Sequence, residues 1–215
     1  MEIKAFIFDL DGVLVHTDRF HYLAWKAIAD KLKTPFDETV NNRLRGVSRM
    51  ESLEIILEAY QGARLTDAQK LALAEEKNDL YRQMLQAMSP EDVSGDVFTT
   101  LQTLKDRGYL LAVGSSSKNA KFILEKTGLD KFFDTVSDGN NITRSKPDPE
   151  VFLKAAKFLG VSPESCFVVE DAASGIDAAK AAGMRTVGIG DAYWCAETEY
   201  PIEQISELLI ILDKK

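Results

Sequence analysis

Two aspartates separated by one residue follow the first apolar run of the chain. The segment MEIKAFIFDLDGVLV places Asp9 and Asp11 directly after Ile3–Phe8, whose composition is typical of a buried parallel strand. In open α/β sheets ligands bind at the carboxyl ends of the strands, so a carboxylate at this position would be exposed at a site. The two acids could instead form an Asx turn around Gly12, and an isolated DxDG motif fits either interpretation. The other strand ends decide between them.

Polar residues of three further kinds follow later apolar runs. The segment GSSSKN contains small hydroxyl residues that lead into a helix start, where free N–H groups attract phosphate. Lys146 lies between serine and proline in SKPDP, and Glu170 with Asp171 follows CFVV. Each feature has a simpler alternative: an N-cap for Ser117, a solvated charge for Lys146, and a helix cap for the acidic pair. Together the strand ends nevertheless supply what is needed to hold Mg²⁺ and a phosphoryl group.

These residue types suggest a division of roles in phosphoryl transfer. Asp9 and Asp171, with Glu170 as a further candidate, offer the hard oxygen ligands that Mg²⁺ prefers. Asp9 can attack phosphorus as a carboxylate while Mg²⁺ and Lys146 neutralise the oxygens of the transferred group. Asp11 can handle the proton of the attacking or leaving hydroxyl.

The elements that must position these residues follow an alternating pattern. From residue 96 onward, apolar runs alternate with helical patterns that each end at a glycine, which predicts a doubly wound α/β fold with a parallel sheet. The predicted strands are Ile3–Phe8, Tyr109–Val113, Phe133–Val136, Cys166–Val169 and Thr186–Ile189, and the predicted helices are Asp96–Arg107, Asn119–Thr127, Pro149–Leu159 and Ala173–Ala182. The tail from Ile205 to Leu212 could form an edge strand or a closing helix.

Residues 17–89 differ from the rest because they contain helical periodicity and no convincing strand. Two capping boxes, SRME from Ser48 and TDAQ from Thr66, predict helix starts there. An insert of about seventy residues is too long for a loop. We therefore predict a helical cap domain, 17–89, inserted after the first strand of a core formed by 1–16 and 90–215. The hinges are expected near residues 13–17 and 89–95.

Composition excludes several classes of protein. The chain has 215 residues, 45% of them hydrophobic, and a formal net charge of -8, which argues against nucleic-acid binding through a positive field. No run approaches the roughly 18 apolar residues of a membrane span, and the N-terminal segment is a poor signal peptide. Cys166 and Cys195 have no metal or CxxC spacing, which favours reduced thiols. We expect a soluble, cytoplasmic and monomeric protein that does not contact a membrane.

Four motifs, in this order, resemble those of the haloacid dehalogenase superfamily. They are FDLDGV at Phe8–Val13, the serine-rich strand end at Ser115, the lysine of SKPDP at Lys146, and VVEDAASGI at Val168–Ile176. The resemblance implies a Rossmann-like core of that family, a mobile helical cap and an aspartyl-phosphate intermediate on Asp9. It also implies that Asp11 is the general acid/base. Mg²⁺ would be held by Asp9, the backbone carbonyl of Asp11 and Asp171, with Glu170 in support.

The insert contains a candidate for a second anion site. In LRGVSR, Arg45 and Arg49 flank a helix start capped by Ser48, so guanidinium groups and free N–H groups could converge. Arginines at this spacing are often only a solvated face. Thr17, His21 and Trp25 are four residues apart and hence share a helix face, although a tryptophan or a single histidine is more often structural.

The insert also resembles the cap of the hexose-phosphate mutases in this superfamily. That resemblance implies β-glucose 1-phosphate as substrate, β-glucose 1,6-bisphosphate as intermediate and β-glucose 6-phosphate as product. Ser115 and Lys146 would hold the transferring phosphoryl group, and Arg49, Ser117 and Asn119 the second phosphate. The sugar side would be lined by Thr17, His21, Trp25, Arg45, Gly46, Ser52 and Lys77, and the substrate-binding set is completed by Val47, Ser48, Ser116 and Lys118. Three positions depart from the pattern: His16 replaces a common Asp, Arg45 a common Lys, and Ser116 a common Ala.

Two other functions remain as alternatives. A sugar-phosphate phosphatase would share the chemistry up to the aspartyl phosphate, after which water would attack in place of a bound hexose phosphate. A non-enzymatic phospho-receiver would use Asp9 as a signal, but it would not need Asp11 and an insert after the first strand would be unusual for it.

Overall fold

The chain folds into two compact units. A computed structural model describes residues 2–44 and 47–213. One unit, the core unit, contains the residues up to His16 and from Met88 onward, and the other, the insert unit, is Thr17–Ala87. The insert unit thus separates the first strand of the core unit from the later ones.

A parallel sheet of six strands forms the centre of the core unit, in the order β3-β2-β1-β4-β5-β6. Phe8 of β1 pairs with Val113 of β2 and Val169 of β4, so the carboxyl ends of these strands are level. The chain order reverses at β1, which is where doubly wound sheets bind ligands. The strands are β1 (Ala5–Phe8), β2 (Leu110–Gly114), β3 (Thr135–Ser137), β4 (Cys166–Glu170), β5 (Arg185–Gly188) and β6 (Tyr200–Pro201).

Helices of the core unit follow the strands as predicted. They are α5 (Gly95–Asp106), α6 (Ala120–Thr127), α7 (Glu150–Leu159), α8 (Ala173–Ala181) and α9 (Leu208–Asp213). Gly128 and Gly160 end α6 and α7 in the left-handed conformation, with φ of 68° and 71°, which a residue with a Cβ rarely adopts. The doubly wound α/β fold is therefore confirmed.

The sheet is buried because helices and loops cover its apolar strands. One cluster joins Ile7 and Val168 of the sheet to Phe152 of α7 and Ala178 of α8. Strands buried in this way need no polar face, which explains why they appear in the sequence as continuous apolar runs. Cys166 belongs to the same cluster and is a free, buried thiol.

The insert unit is helical, in agreement with its sequence pattern. Its helices are α1 (Asp18–Lys31), α2 (Glu38–Asn42), α3 (Arg49–Leu57) and α4 (Asp67–Leu85). Both predicted capping boxes are present, at Ser48 with Glu51 and at Thr66 with Gln69. A separate apolar cluster, which includes Trp25, holds these helices together.

The C-terminal tail is helical, which was one of the two structures predicted for it. A short 3-10 helix, Ile205–Glu207, leads into α9, so the segment from Ile205 to Leu212 forms no edge strand. The edge is instead β6, which pairs with β5 through Tyr200 and Pro201. No helix among the described residues combines the length and apolar composition that a membrane crossing requires.

Candidate active site

Lys146 joins two of the carboxylates that the sequence singled out. Its Nζ donates hydrogen bonds to Asp9 Oδ1 and to Glu170 Oε1. The Lys146 side chain is only 4% exposed, so the alternative of a solvated surface charge is wrong. Burial alone would lower the pKa of Lys146, but the charges of Asp9 and Glu170 outweigh burial and raise it, so the amine stays protonated.

Asp9, Glu170 and Asp171 form a buried acidic group within the described part of the core unit. One oxygen from each carboxylate lies within 4.8 Å of the others. Burial raises the pKa of Glu170 above its ordinary value, and the charges of Asp9 and Asp171 act in the same direction against the opposing effect of Lys146. The single positive charge of Lys146 does not balance the acidic group, which leaves an excess of negative charge in a desolvated place. Hard oxygen donors with that excess fit a divalent cation.

The side chain of Glu170 also binds the turn between β4 and α8. Glu170 Oε2 accepts from the backbone N–H of Asp171 at 3.1 Å and of Ala172 at 3.3 Å, while Oε1 accepts from Lys146. The N-cap residue of α8 is Ala172 and no side chain caps the helix, so the helix-cap interpretation of this pair is wrong. The bonds fix the carboxylate of Glu170 in one orientation.

Two glycines leave room for these carboxylates. Gly12 has φ of +85°, and a Cβ there would overlap the carboxylate of Asp171. A Cβ on Gly175, in the first turn of α8, would overlap the carboxylate of Glu170. Neither glycine was predicted to have a spacing role, although both occur within the motifs FDLDGV and VVEDAASGI.

The loop after β2 is held by its own serines. Ser115 Oγ accepts from the Ser117 N–H at 3.1 Å, and Ser117 Oγ accepts from the Asn119 N–H at 3.2 Å. Ser117 thus orders the turn before α6, whose N-cap residue is Asn119. Ser115 and Asn119 are buried and Lys118 is exposed. The Ser116 hydroxyl is buried without a hydrogen-bond partner in the described structure.

In the insert unit, the predicted face of α1 meets α4. The Thr17 hydroxyl lies 2.9 Å from the Tyr81 hydroxyl, and the His21 and Tyr81 rings are 4.1 Å apart. Lys77 Nζ lies 2.8 Å from His21 Nδ1 and 5.0 Å from the centre of the Trp25 ring. Thr17, Trp25 and Lys77 are buried. The structure therefore brings together four residues that were predicted to line the sugar side, namely Thr17, His21, Trp25 and Lys77.

Positive charge is concentrated around His21. Burial lowers the pKa of His21 well below its usual value, and the charges of Lys77 and Arg49 lower it further. His21 is then neutral at pH 7, and its Nδ1 can accept from the Lys77 ammonium. Arg49 donates to Asn78 Oδ1 at 2.7 Å, which fixes its guanidinium on α4. Two cationic side chains near a neutral histidine suit an anionic ligand.

Other predicted residues of the insert unit mainly stabilise α3. Ser48 caps the helix, since its hydroxyl accepts from the Glu51 N–H at 3.3 Å. The Ser52 hydroxyl is buried and donates to the Ser48 carbonyl at 3.0 Å. Val47 is half-buried. Arg45 and Gly46 lie outside the described residues.

Comparison with known proteins identifies the family. Residues 3–183 match the model of the haloacid dehalogenase-like hydrolases. The chain belongs to this family. It is 41% identical to β-phosphoglucomutase of Bacillus subtilis (strain 168) over 98% of this chain and 93% of that protein. It is 31% identical to a phosphorylated carbohydrates phosphatase of Thermotoga maritima over 86% of this chain and 84% of that one.

Comparison with solved structures finds similarity to the same group of haloacid dehalogenase-like proteins. A crystal structure of β-phosphoglucomutase from Clostridium difficile superimposes with a TM-score of 0.93 at 36% identity, covering 99% of this chain and 96% of that one. The similarity spans the insert unit as well as the core unit.

Three residues that were not predicted as site residues support predicted ones or the loop that carries Lys146. Tyr81 supports Thr17 and His21, Asn78 holds Arg49, and Glu150 binds the loop before α7. Tyr81 follows Lys77 by four positions, which places both on one face of α4 and was a usable signal. The contacts between α1 and α4 could not be predicted from the sequence, because local sequence patterns do not determine which helices pack together.

Proposed function

We propose that this chain is a β-phosphoglucomutase, which interconverts β-glucose 1-phosphate and β-glucose 6-phosphate through an aspartyl phosphate and β-glucose 1,6-bisphosphate. The observation that carries the proposal is the 41% identity with the Bacillus subtilis β-phosphoglucomutase over 98% of this chain. The buried group of Asp9, Lys146, Glu170 and Asp171 has the composition that this chemistry needs.

Mg²⁺ is the metal that we assign to the acidic group. Asp9, Asp171 and the backbone carbonyl of Asp11 would hold it, and Glu170 would support it. A hard cation with oxygen ligands fits these donors better than a thiophilic metal, since neither cysteine belongs to the group. When bound, Mg²⁺ supplies positive charge to the oxygens of the transferring phosphoryl group.

Asp9 is the nucleophile in the proposed reaction. The phosphorylated Asp9 donates its phosphoryl group to the C6 hydroxyl of β-glucose 1-phosphate, and Asp11 accepts the hydroxyl proton. The bisphosphate then presents its C1 phosphate to Asp9. A new bond forms between Asp9 and phosphorus, the bond to O1 breaks, and Asp11 returns the proton to O1. Ser115 and Lys146 hold the phosphoryl oxygens throughout.

The insert unit binds the non-reacting end of the sugar phosphate in this proposal. Within this unit, Arg49 is the residue that would hold the second phosphate. The fixed guanidinium of Arg49 can form two parallel hydrogen bonds to a phosphate. The sugar would contact side chains or backbone groups of the predicted set, which is Thr17, His21, Trp25, Arg45, Gly46, Ser52 and Lys77.

A sugar-phosphate phosphatase is the second candidate. The 31% identity with the Thermotoga maritima phosphatase supports it, because such an enzyme shares the aspartyl-phosphate step. The two functions differ in what attacks phospho-Asp9, a bound hexose phosphate or water. Binding of a second phosphate favours the mutase, since water needs no such site.

The test is to incubate the protein with Mg²⁺, β-glucose 1-phosphate and a trace of β-glucose 1,6-bisphosphate. Glucose 6-phosphate is followed with a coupled dehydrogenase, and inorganic phosphate is measured in parallel. We expect glucose 6-phosphate to form in large excess over inorganic phosphate. Stoichiometric release of inorganic phosphate with free glucose would establish the phosphatase instead.

A further inference from the structure

The loop that carries Lys146 is bound by α7, the helix that follows it. Glu150, the first residue of α7, accepts three hydrogen bonds from the loop through a single oxygen, Oε2. These come from the Thr143 N–H at 2.9 Å, the Thr143 hydroxyl at 2.9 Å and the Arg144 N–H at 2.8 Å. The bonded residues lie two and three positions before Lys146.

A second residue of α7 completes the attachment. Lys154 forms an ion pair with the other oxygen of Glu150, Oε1, at 2.8 Å. Its Nζ also donates to the carbonyl of Asn141. Glu150 and Lys154, one helical turn apart, therefore hold the loop at Asn141, Thr143 and Arg144. Both oxygens of the Glu150 carboxylate are engaged.

The helix that provides these contacts is itself fixed. Val151, Phe152 and Ala155 of α7 are buried against the sheet. Lys146 Nζ lies 4.9 Å from the centre of the Phe152 ring, so the helix and the end of the lysine are also in contact. A loop attached to such an element has little freedom to shift relative to Asp9.

The charge of Glu150 persists over the working range of an enzyme. The bonds from Lys154 and from the backbone of Thr143 and Arg144 lower the pKa of Glu150 to about 2. A carboxylate accepts hydrogen bonds more strongly than a neutral acid or an amide does. In all three bonds between the loop and Glu150 the loop is the donor, so the ionised side chain suits them. Near pH 7 the loop attachment is therefore complete.

We propose that Glu150 is a positioning residue for Lys146: it holds the preceding loop so that the ammonium reaches Asp9 and Glu170. This proposal rests on the proposed role of Lys146 in binding the transferring phosphoryl group. Glu150 does not touch that group, so its whole effect on the reaction passes through Lys146.

Double-mutant analysis tests this dependence. Glu150→Ala, Lys146→Met and the double variant are compared by the single-turnover rate of Asp9 phosphorylation from acetyl phosphate with Mg²⁺. Methionine keeps an apolar side chain beside Phe152 but removes the charge. We expect Glu150→Ala to slow phosphorylation by about 10- to 100-fold, because small displacements of a binding group have effects of that size. In the Lys146→Met background, the same change should have less than about a threefold effect.

Two controls separate positioning from folding. Arg144→Ala removes an ion pair with Asp148 on the same loop but keeps the Arg144 N–H, and should leave the rate unchanged. Glu150→Gln keeps an acceptor oxygen for the loop, so it should retain more activity than Glu150→Ala. Thermal unfolding of every variant reports folding independently.

The outcomes are distinct. Losses that multiply in the double variant, or an unchanged rate in Glu150→Ala, would overturn the proposal. A wild-type protein that is phosphorylated by acetyl phosphate but makes no glucose 6-phosphate would contradict the mutase function alone, because the double-mutant comparison needs no sugar.

Discussion

A Cβ atom on Gly175 would overlap the carboxylate of Glu170. Gly175 lies in the first turn of α8, and Glu170 is the last residue of β4. The missing side chain at one position therefore sets where the carboxylate at the other can lie. Through that carboxylate it also affects Lys146, which binds Glu170 and Asp9 together.

Gly175→Ala should weaken the metal site. The added methyl group must displace the carboxylate of Glu170, and changes to groups that orient a metal site typically lower affinity by about 10- to 100-fold. The measurement is the Mg²⁺ concentration that gives half-maximal turnover. Gly95→Ala is the matched control, since a Cβ there meets nothing within 4 Å. Equal Mg²⁺ dependence in both variants would contradict this account.

Much of the fold was predictable because its signals are local. The apolar runs of β1 and β4, the glycines after α6 and α7, and the two capping boxes each depend on a few neighbouring residues. β6 was not predicted because a strand of two residues that includes Pro201 has no periodicity to detect. Its place at the edge is consistent with proline, which cannot donate to a further strand.

The candidate site was predictable where residues follow strands. Asp9, Glu170 and Lys146 could be expected together because the carboxyl ends of parallel strands share one edge of the sheet. Tyr81 and Glu150 were not predicted, since their contacts depend on helix packing and on the path of a loop. The sequence indicates that Lys146 follows a strand, but not which side chain holds its loop.

Asp9→Asn should abolish phosphoryl transfer and leave the fold intact. The amide keeps the shape of the side chain and can still accept from Lys146, but it is not a nucleophile. Intact-protein mass after incubation with acetyl phosphate measures the loss, and thermal unfolding checks the fold. Appreciable phosphorylation or turnover in this variant would exclude Asp9 as the nucleophile.

Asp11→Asn should still bind Mg²⁺ but turn over slowly. The proposed metal ligand at this position is the backbone carbonyl, which the substitution retains. Loss of general acid/base assistance should lower kcat by about 100-fold or more. Steady-state kinetics with β-glucose 1-phosphate measures kcat, and a Mg²⁺ titration provides the comparison. A normal kcat would assign the proton transfer to another group.

The ion pair of Glu150 with Lys154 and its hydrogen bonds to the loop should make the free energy of unfolding depend on pH in acid. Its pKa falls from 4.5 to about 2 on folding, so the folded state favours the carboxylate. The resulting stabilisation is fully present above the unfolded pKa and is lost as pH falls from about 5 towards 2. Urea unfolding of the wild type and Glu150→Gln between pH 6 and pH 3 measures it. The difference in free energy of unfolding should narrow with falling pH, and a constant or widening difference would refute this assignment.

Arg49→Ala should distinguish the mutase from a phosphatase. If Arg49 holds the non-transferring phosphate, it assists hexose phosphates and contributes nothing to acetyl phosphate, which has a single phosphate. Losing a two-point contact between charged groups should cost about 2 to 4 kcal/mol, or roughly 30- to 1000-fold in turnover. The two measurements are glucose 6-phosphate formation and acetyl phosphate hydrolysis. Arg49→Lys should recover only part of the loss, because an ammonium keeps the charge but lacks the planar pair of donors.

Arg43→Ala is the matched control for this experiment. Arg43 belongs to the same unit and binds Glu58 through two hydrogen bonds of 2.8 and 2.7 Å, but this pair is exposed and lies outside the proposed site. Its removal should change neither assay, since exposed ion pairs contribute little to stability. Loss of glucose 6-phosphate formation in Arg49→Ala alone, with acetyl phosphate hydrolysis retained, is the result that a second phosphate site requires. Equal losses in both assays would mean that Arg49 stabilises the insert unit or binds the transferring phosphate, and the mutase proposal would lose its support from Arg49.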